Sequence, residues 1–140
     1  PRRERPAPAP PAPAGSGLVL YIEDNRSNVR LVERVLDRRP GVRLLHAPTG
    51  ESGVSLCRSR SPDRVLVDLH LADIAGEQVL QQLWRDPATR PIPKIVVTAD
   101  ATPGLARRLE GEGAVAVLTK PLNLQELLAR LDGLLGGKEA

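Results

Sequence analysis

From residue 18 onward the chain alternates short, nearly unbroken apolar runs with longer stretches in which apolar residues recur every three or four positions. The runs at 18–22, 42–45, 65–69, 94–98 and 114–118 read as strands buried on both faces, since so short an apolar span leaves no side for water. The stretches between them read as helices. Asn25 can cap a helix whose Val29, Val32, Val35 and Leu36 share one face and which Pro40-Gly41 ends. Residues 51–60 form a weaker helix, interrupted by Gly53. Residues 76–85 turn Val79, Leu80, Leu83 and Trp84 inward and stop at Asp86-Pro87. Thr102 can cap a fourth helix with Pro103 at its first position, where proline is tolerated, and Gly111 and Gly113 end it. Asn123 with Glu126 resembles a capping box and opens a last helix striped by Leu124, Leu127, Leu128, Leu131 and Leu135.

Five strands alternating with five helices predict an α/β domain of parallel strands joined by right-handed crossovers. Its expected span is residues 18–136, with a short tail at 137–140. Residues 1–17 alternate proline and alanine and end in Gly-Ser-Gly. That composition favours extended polyproline II over a core and is expected to serve as a flexible linker to something upstream, with a disordered tail as the alternative. With no methionine among the 140 residues, the chain is expected to be a piece of a longer product, and it stops soon after the last helix without an output domain.

Charge changes this picture little. The net charge is +3 and the isoelectric point about 9.6. Arg2, Arg3, Arg5 and Glu4 put +2 of that into the tail, leaving 17 basic and 16 acidic residues in the rest. Basic residues are scattered, and Tyr21 and Trp84 are the only aromatics, so direct nucleic-acid binding is not expected. Cys57 stands alone, which excludes an internal disulfide and a cysteine-based zinc site. It reads as a small core residue. No apolar stretch is long enough to span a membrane and no signal-peptide pattern is present. The expected location is the cytoplasm. Trp84 is expected in the core, and His46 has no evident partner.

Polar residues interrupt the apolar runs at particular places. Glu23 and Asp24 follow strand one, Asp68 closes strand three, Thr98 ends strand four and Lys120 follows strand five. All five lie at the carboxyl ends of parallel strands, the edge where open α/β sheets bind ligands. Three carboxylates brought together repel one another, and a magnesium ion resolves that repulsion with oxygen ligands and water. An aspartate beside such an ion can act as a nucleophile toward phosphorus. A lysine and a threonine hydroxyl supply the charge neutralisation and positioning that phosphoryl transfer requires.

The segments LYIEDN, VLVDLHLADIAG, VVTADATP and VLTKPL, in this order at four strand ends, resemble the signature blocks of response-regulator receiver domains. The resemblance covers about residues 18–135. It implies a flavodoxin-like (βα)5 fold with strand order 2-1-3-4-5. It implies Asp68 as phosphoacceptor and Glu23 and Asp24 as the acidic pair serving Mg2+, with Asp24 the direct ligand. The backbone carbonyl of His70 is implied as a third protein ligand. Thr98 becomes the switch hydroxyl, Ala99 its small neighbour, and Lys120 the cation facing the phosphoryl group, with a cis peptide at Lys120-Pro121. The donor implied is a phosphohistidine on a histidine kinase or a histidine phosphotransfer protein. The linker and the stretch LYIEDNRSNVRLVE resemble C-terminal receivers of hybrid sensor histidine kinases, in which upstream domains of the same chain are partners. A stand-alone regulator is the nearest alternative.

Two positions depart from the family. Val117 stands where an aromatic usually precedes the lysine by three residues, and Ala72 stands where proline is common, which predicts a looser loop after Asp68. His70 reads as a loop side chain whose backbone matters. The alternative is a modulator of phosphoryl lifetime, with Asp100 as the other position facing attacking water. Val117 lends some weight to a rival reading, a receiver-fold interaction module that works without phosphorylation. A flavin enzyme is disfavoured, because no glycine-rich loop follows strand one and aromatics to stack on a flavin are almost absent.

Overall fold

A computed structural model describes residues 17–100 and 102–135, apart from the side chains of residue 124 and residues 132–135. The strands are β1 (Gly17–Ile22), β2 (Val42–Ala47), β3 (Arg64–Asp68), β4 (Lys94–Thr98) and β5 (Ala114–Thr119). The helices are α1 (Arg26–Leu36), α2 (Gly50–Arg60), α3 (Gly76–Arg85), α4 (Leu105–Gly111) and α5 (Leu124–Leu135). The five strands form one sheet in the order β2-β1-β3-β4-β5, and every pairing is parallel. This is the flavodoxin-like order expected from the sequence. No helix among the described residues is long and apolar enough to cross a membrane.

Because successive strand residues face opposite sides, each strand feeds two cores. Val19, Tyr21, Leu66, Ile95 and Leu118 pack with the apolar stripes of α1 and α5. Leu20, Ile22, Val65 and Val67 pack with α2 and α3, and Leu69, Val96 and Ala114 with α3 and α4. Cys57 lies buried in the second of these cores as expected, and burial raises its thiol pKa to about 11. The interruption at Gly53 has a packing reason: a Cβ there would run into the Ile22 side chain. The glycine lets α2 close on the sheet at some cost in helix propensity.

Most boundaries fall within a residue or two of expectation, and α3 and β4 match in full. Two expectations fail. Helix α4 starts at Leu105, capped by Gly104 at φ 86°, rather than at Pro103 behind Thr102. The reason is local competition. Asp100 accepts both the Thr102 N–H at 2.9 Å and the Thr102 hydroxyl, holding that segment in a turn. Trp84 is not core: it is 42% exposed. It lies one position off the buried stripe of Val79, Leu80 and Leu83, and its ring packs against the Arg90 guanidinium, 4.6 Å from the centroid. The linker over residues 1–17, except for Gly17 in β1, and the tail at 137–140 lie outside the described residues.

Candidate functional site

The parallel register brings the ends of β1, β3, β4 and β5 to one rim. Glu23 follows β1 and is wholly buried. Its Oε1 accepts the Tyr21 hydroxyl at 2.9 Å, the Asn28 side-chain amide at 3.3 Å and Lys120 Nζ at 3.3 Å. Its Oε2 accepts the Asn25 N–H at 3.2 Å. Burial first, and the negative charge of Glu23 second, push the Tyr21 phenol far above its usual range, so Tyr21 acts as a donor at any ordinary pH. Asn25 also caps α1 through its side chain, which accepts the N–H groups of Ser27 and Asn28. Helix α1 thereby begins immediately after the acidic pair. Asp24 is exposed at the rim.

Asp68 ends β3 with 4% of its surface exposed. One carboxylate oxygen accepts the His70 N–H at 3.2 Å, and the other faces Lys120 Nζ at 3.5 Å. Gly76 opens α3 directly behind it: the Gly76 N–H donates to Leu69 O at 2.8 Å, and a Cβ at Gly76 would land on the Asp68 carbonyl oxygen. Only glycine permits that approach. The loop between Asp68 and α3 is better anchored than Ala72 suggests. Asp73 in that loop accepts the N–H groups of Gly50 and Glu51 at 2.8 and 3.0 Å, capping α2 from a distance. These backbone donors hold the Asp73 carboxyl below the usual carboxylate range.

Thr98 ends β4 fully buried. Its Oγ1 accepts the Asp100 N–H at 3.0 Å, which leaves the hydroxyl hydrogen to donate. The hydrogen bonds from Thr102, with a smaller contribution from His70, hold the Asp100 carboxyl below its ordinary value. The Lys120 N–H donates to Thr98 O at 2.7 Å, and the Lys120-Pro121 peptide is cis. The ammonium of Lys120 lies 3.3 Å from Glu23 and 3.5 Å from Asp68. Val117 is partly buried and packs against the core that contains Leu105 and Leu109 of α4.

Five side chains singled out in the sequence thus come to one rim: Glu23, Asp24, Asp68, Thr98 and Lys120. Ligand atoms of Glu23, Asp24 and Asp68 all lie within 4.8 Å of one another. Two of these three carboxylates contact the Lys120 ammonium, and every candidate ligand is a hard oxygen. This donor set fits a magnesium ion, which takes few protein carboxylates and keeps waters. His70 contributes its backbone N–H to Asp68, while its side chain is exposed.

Sequence reasoning missed three residues. In the sequence Tyr21 reads only as one of two aromatics, although its spacing of two from Glu23 puts both on the same face of the strand. Asn28 gave no signal, because its reach to Glu23 depends on the direction in which α1 leaves the strand. His46 does have a partner: its Nε2 lies 2.7 Å from Glu23 O. A carbonyl brings no proton, so Nε2 carries the hydrogen. Edge strand β2 is thereby tied to the backbone of the acidic pair.

Comparison with known proteins agrees with this geometry. The chain is 30% identical over 118 residues to the polar-differentiation response regulator DivK of Brucella ovis, covering 84% of this chain and 95% of that protein. A response regulator from Chloroflexus aurantiacus superposes with a TM-score of 0.79 at 25% identity, over 87% of this chain and 99% of the other. The receiver domain of a sensor histidine kinase from Pseudomonas aeruginosa, with a magnesium ion coordinated in its active-site cleft, superposes with a TM-score of 0.77 at 26% identity, over 87% and 99%. The family model for the response regulator receiver domain matches residues 19–132. With its parallel five-stranded sheet and acidic rim, this chain belongs to the response regulator receiver domains, the phosphoaccepting modules of two-component signalling.

Proposed function

We propose that this receiver domain takes its phosphoryl group onto Asp68 from a phosphohistidine of a histidine kinase or histidine phosphotransfer protein. The observation that carries the proposal is the position of Asp68. It is almost fully buried at a strand end, with Lys120 Nζ 3.5 Å away and two further carboxylates close by. Asp24, Asp68, Glu23 and the backbone carbonyl of His70 would hold Mg2+, which when bound supplies positive charge opposite the phosphoryl oxygens.

The chain's own residues supply the rest. A carboxylate oxygen of Asp68 forms the new O–P bond as the N–P bond of the donor imidazole breaks, and the imidazole leaves with the electron pair and takes up a proton. Lys120 balances charge on the group in transfer. The His70 N–H, 3.2 Å from Asp68, orients the nucleophile. Afterwards Thr98 donates its hydroxyl hydrogen to a phosphoryl oxygen. That contact draws β4 inward and changes the packing of Val117 against α4, a local event that biases a two-state element.

The likeness to a sensor-kinase receiver and the Pro-Ala stretch support a place at the C-terminal end of a hybrid histidine kinase. The match over 95% of DivK favours a second reading, a stand-alone regulator. In both readings the domain works in the cytoplasm. Immunodetection of the native product decides between them: a band of about the size of this chain favours the regulator, and a much larger band the hybrid kinase.

The phosphoacceptor assignment is tested with purified protein, Mg2+ and a small phosphodonor, followed by intact mass and amide NMR. The wild-type chain gains one phosphoryl group, with shifts at Asp68, Thr98 and Lys120, and Asp68→Asn gains none. Absence of labelling at saturating donor and Mg2+ overturns the assignment and leaves an interaction module that works without phosphorylation.

A further inference from the structure

The acidic pair of this chain begins with glutamate, whose extra methylene gives its carboxylate one more rotatable bond than an aspartate has. A free glutamate at the rim would sample several rotamers, each placing the charge differently. This one is not free. It is fully buried, and its Oε1 receives three donors, from Tyr21, Asn28 and Lys120. Two of these, the Tyr21 hydroxyl and the Asn28 amide, are neutral groups whose bonds do not depend on Lys120. Oε2 receives only the Asn25 N–H, at 3.2 Å. A carboxylate oxygen offers about two acceptor sites, so Oε1 is saturated and the spare capacity of Glu23 lies on Oε2.

We infer that Tyr21 and Asn28 are positioning residues. By anchoring Oε1 they fix the rotamer of the Glu23 carboxylate, so that its open acceptor capacity, on Oε2, stays available to a cation or its water beside Asp24 and Asp68. The inference rests on the Mg2+ reading above and adds to it a role for two residues outside the acidic set. Tyr21 acts from the same strand face, two residues before Glu23. Asn28 acts from the first turn of α1. Both reach the carboxylate at the length of a glutamate. An aspartate at position 23 would be too short to take both bonds, and its carboxylate would not need them.

This difference in length supplies the test, a double-mutant cycle of Tyr21→Phe and Glu23→Asp in the full chain, read as Mg2+ affinity by calorimetric titration and by amide NMR. Thermal melting of each metal-free variant is recorded alongside. Tyr21→Phe removes one hydroxyl from a buried ring and keeps the ring's packing. In the Glu23 background it is expected to weaken Mg2+ binding about tenfold, the size typical of losing a group that orients a metal ligand. In the Glu23→Asp background the same change should alter the affinity by less than about twofold, within the scatter of independent sites.

Asn28→Ala should repeat the pattern with a smaller loss, since its bond is longer. Equal losses in both backgrounds, or no loss in either while the wild type binds Mg2+, overturn the positioning role. A Tyr21→Phe variant that melts earlier but binds Mg2+ normally also overturns it, and makes Tyr21 a core residue only. A wild-type chain that shows no Mg2+ binding overturns the underlying reading itself and is told apart by the first titration.

Discussion

Both edges of the sheet bury charge, and they handle it in opposite ways. At the amino edge Lys94 begins β4 with 1% of its surface exposed, and its ammonium donates to the carbonyls of Thr89 and Arg90 at 2.9 and 2.7 Å. The buried Thr89 hydroxyl donates in turn to Leu83 O at 2.7 Å. One lysine thereby organises the whole α3–β4 connection. Arg64 begins β3 beside it with 2% exposure. Its Nε and Nη1 have no partner, and burial lowers its pKa to about 10, so it remains charged at neutral pH. At the carboxyl edge Glu23 and Asp68 are buried and Asp24 is exposed nearby, and Lys120 is the cation that contacts the two buried carboxylates among the described residues. Carbonyl dipoles here accept two of the three donors of a buried ammonium, and such a charge is a structural device. A cluster of like charges left in excess destabilises the fold and is kept for what it binds.

Removing charge at the two edges should therefore have opposite consequences. The largest expected effect is Asp68→Asn at the carboxyl edge. Phosphoryl labelling should fall below detection by intact mass, while the metal-free protein becomes more stable by about 1 kcal/mol in urea melts as repulsion is relieved. A variant that still labels, or one that loses stability, would break the contrast. At the amino edge Lys94→Met keeps the stem but strands the buried Thr89 carbonyl and the partly buried Arg90 carbonyl. It should cost about 3 kcal/mol and leave labelling of the remaining folded protein unchanged.

Arg64→Leu probes the less well satisfied half of that edge. Replacing a buried guanidinium whose Nε and Nη1 lack partners with an apolar group should change stability by no more than about 1 kcal/mol, in the favourable direction, measured by the same urea melts. A loss as large as that of Lys94→Met would mean that Arg64 has structural partners after all.

The smallest effect concerns Asp73, a carboxyl-edge acid that is fully satisfied by backbone N–H groups. Its folded pKa is depressed, so its contribution is present above the unfolded carboxylate value and is lost as pH falls through the folded value. Melting temperature followed from about pH 4 downward should therefore fall more steeply for the wild type than for Asp73→Asn. Parallel curves would remove Asp73 from the set of satisfied charges.

Much of the site was legible in the linear chain, because a parallel α/β fold places every strand's carboxyl end on one edge. Asp68 and Thr98 close apolar runs, and Glu23-Asp24 and Lys120 follow them, so pattern alone predicts that they meet. Asn25 as a cap was legible for the same local reason. Legibility failed where two local signals competed or where distance in sequence was large. Thr102 carries a capping signal, but Asp100 two residues earlier captures both of its donors. Trp84 carries an apolar signal, but its helix position and the Arg90 guanidinium leave it near the surface. Ala72 suggested a loose loop, while the tie that holds the loop comes from Asp73 to the first turn of α2, more than twenty residues away.

The sequence by itself determined the order of elements, the two-sided burial of the central strands β1, β3 and β4 (the edge strands β2 and β5 keep exposed positions) and the edge on which the chemistry would gather. Each of these follows from periodicity and from the chirality of the crossovers, properties of short segments. The tertiary structure decided how each charge is met. It gave Glu23 its Tyr21 and Asn28 partners, placed His46 on the Glu23 carbonyl, brought Gly76 against the Asp68 backbone and set Lys120 between two carboxylates. Those contacts depend on where helices leave the sheet and how closely they pack, so no local pattern encodes them.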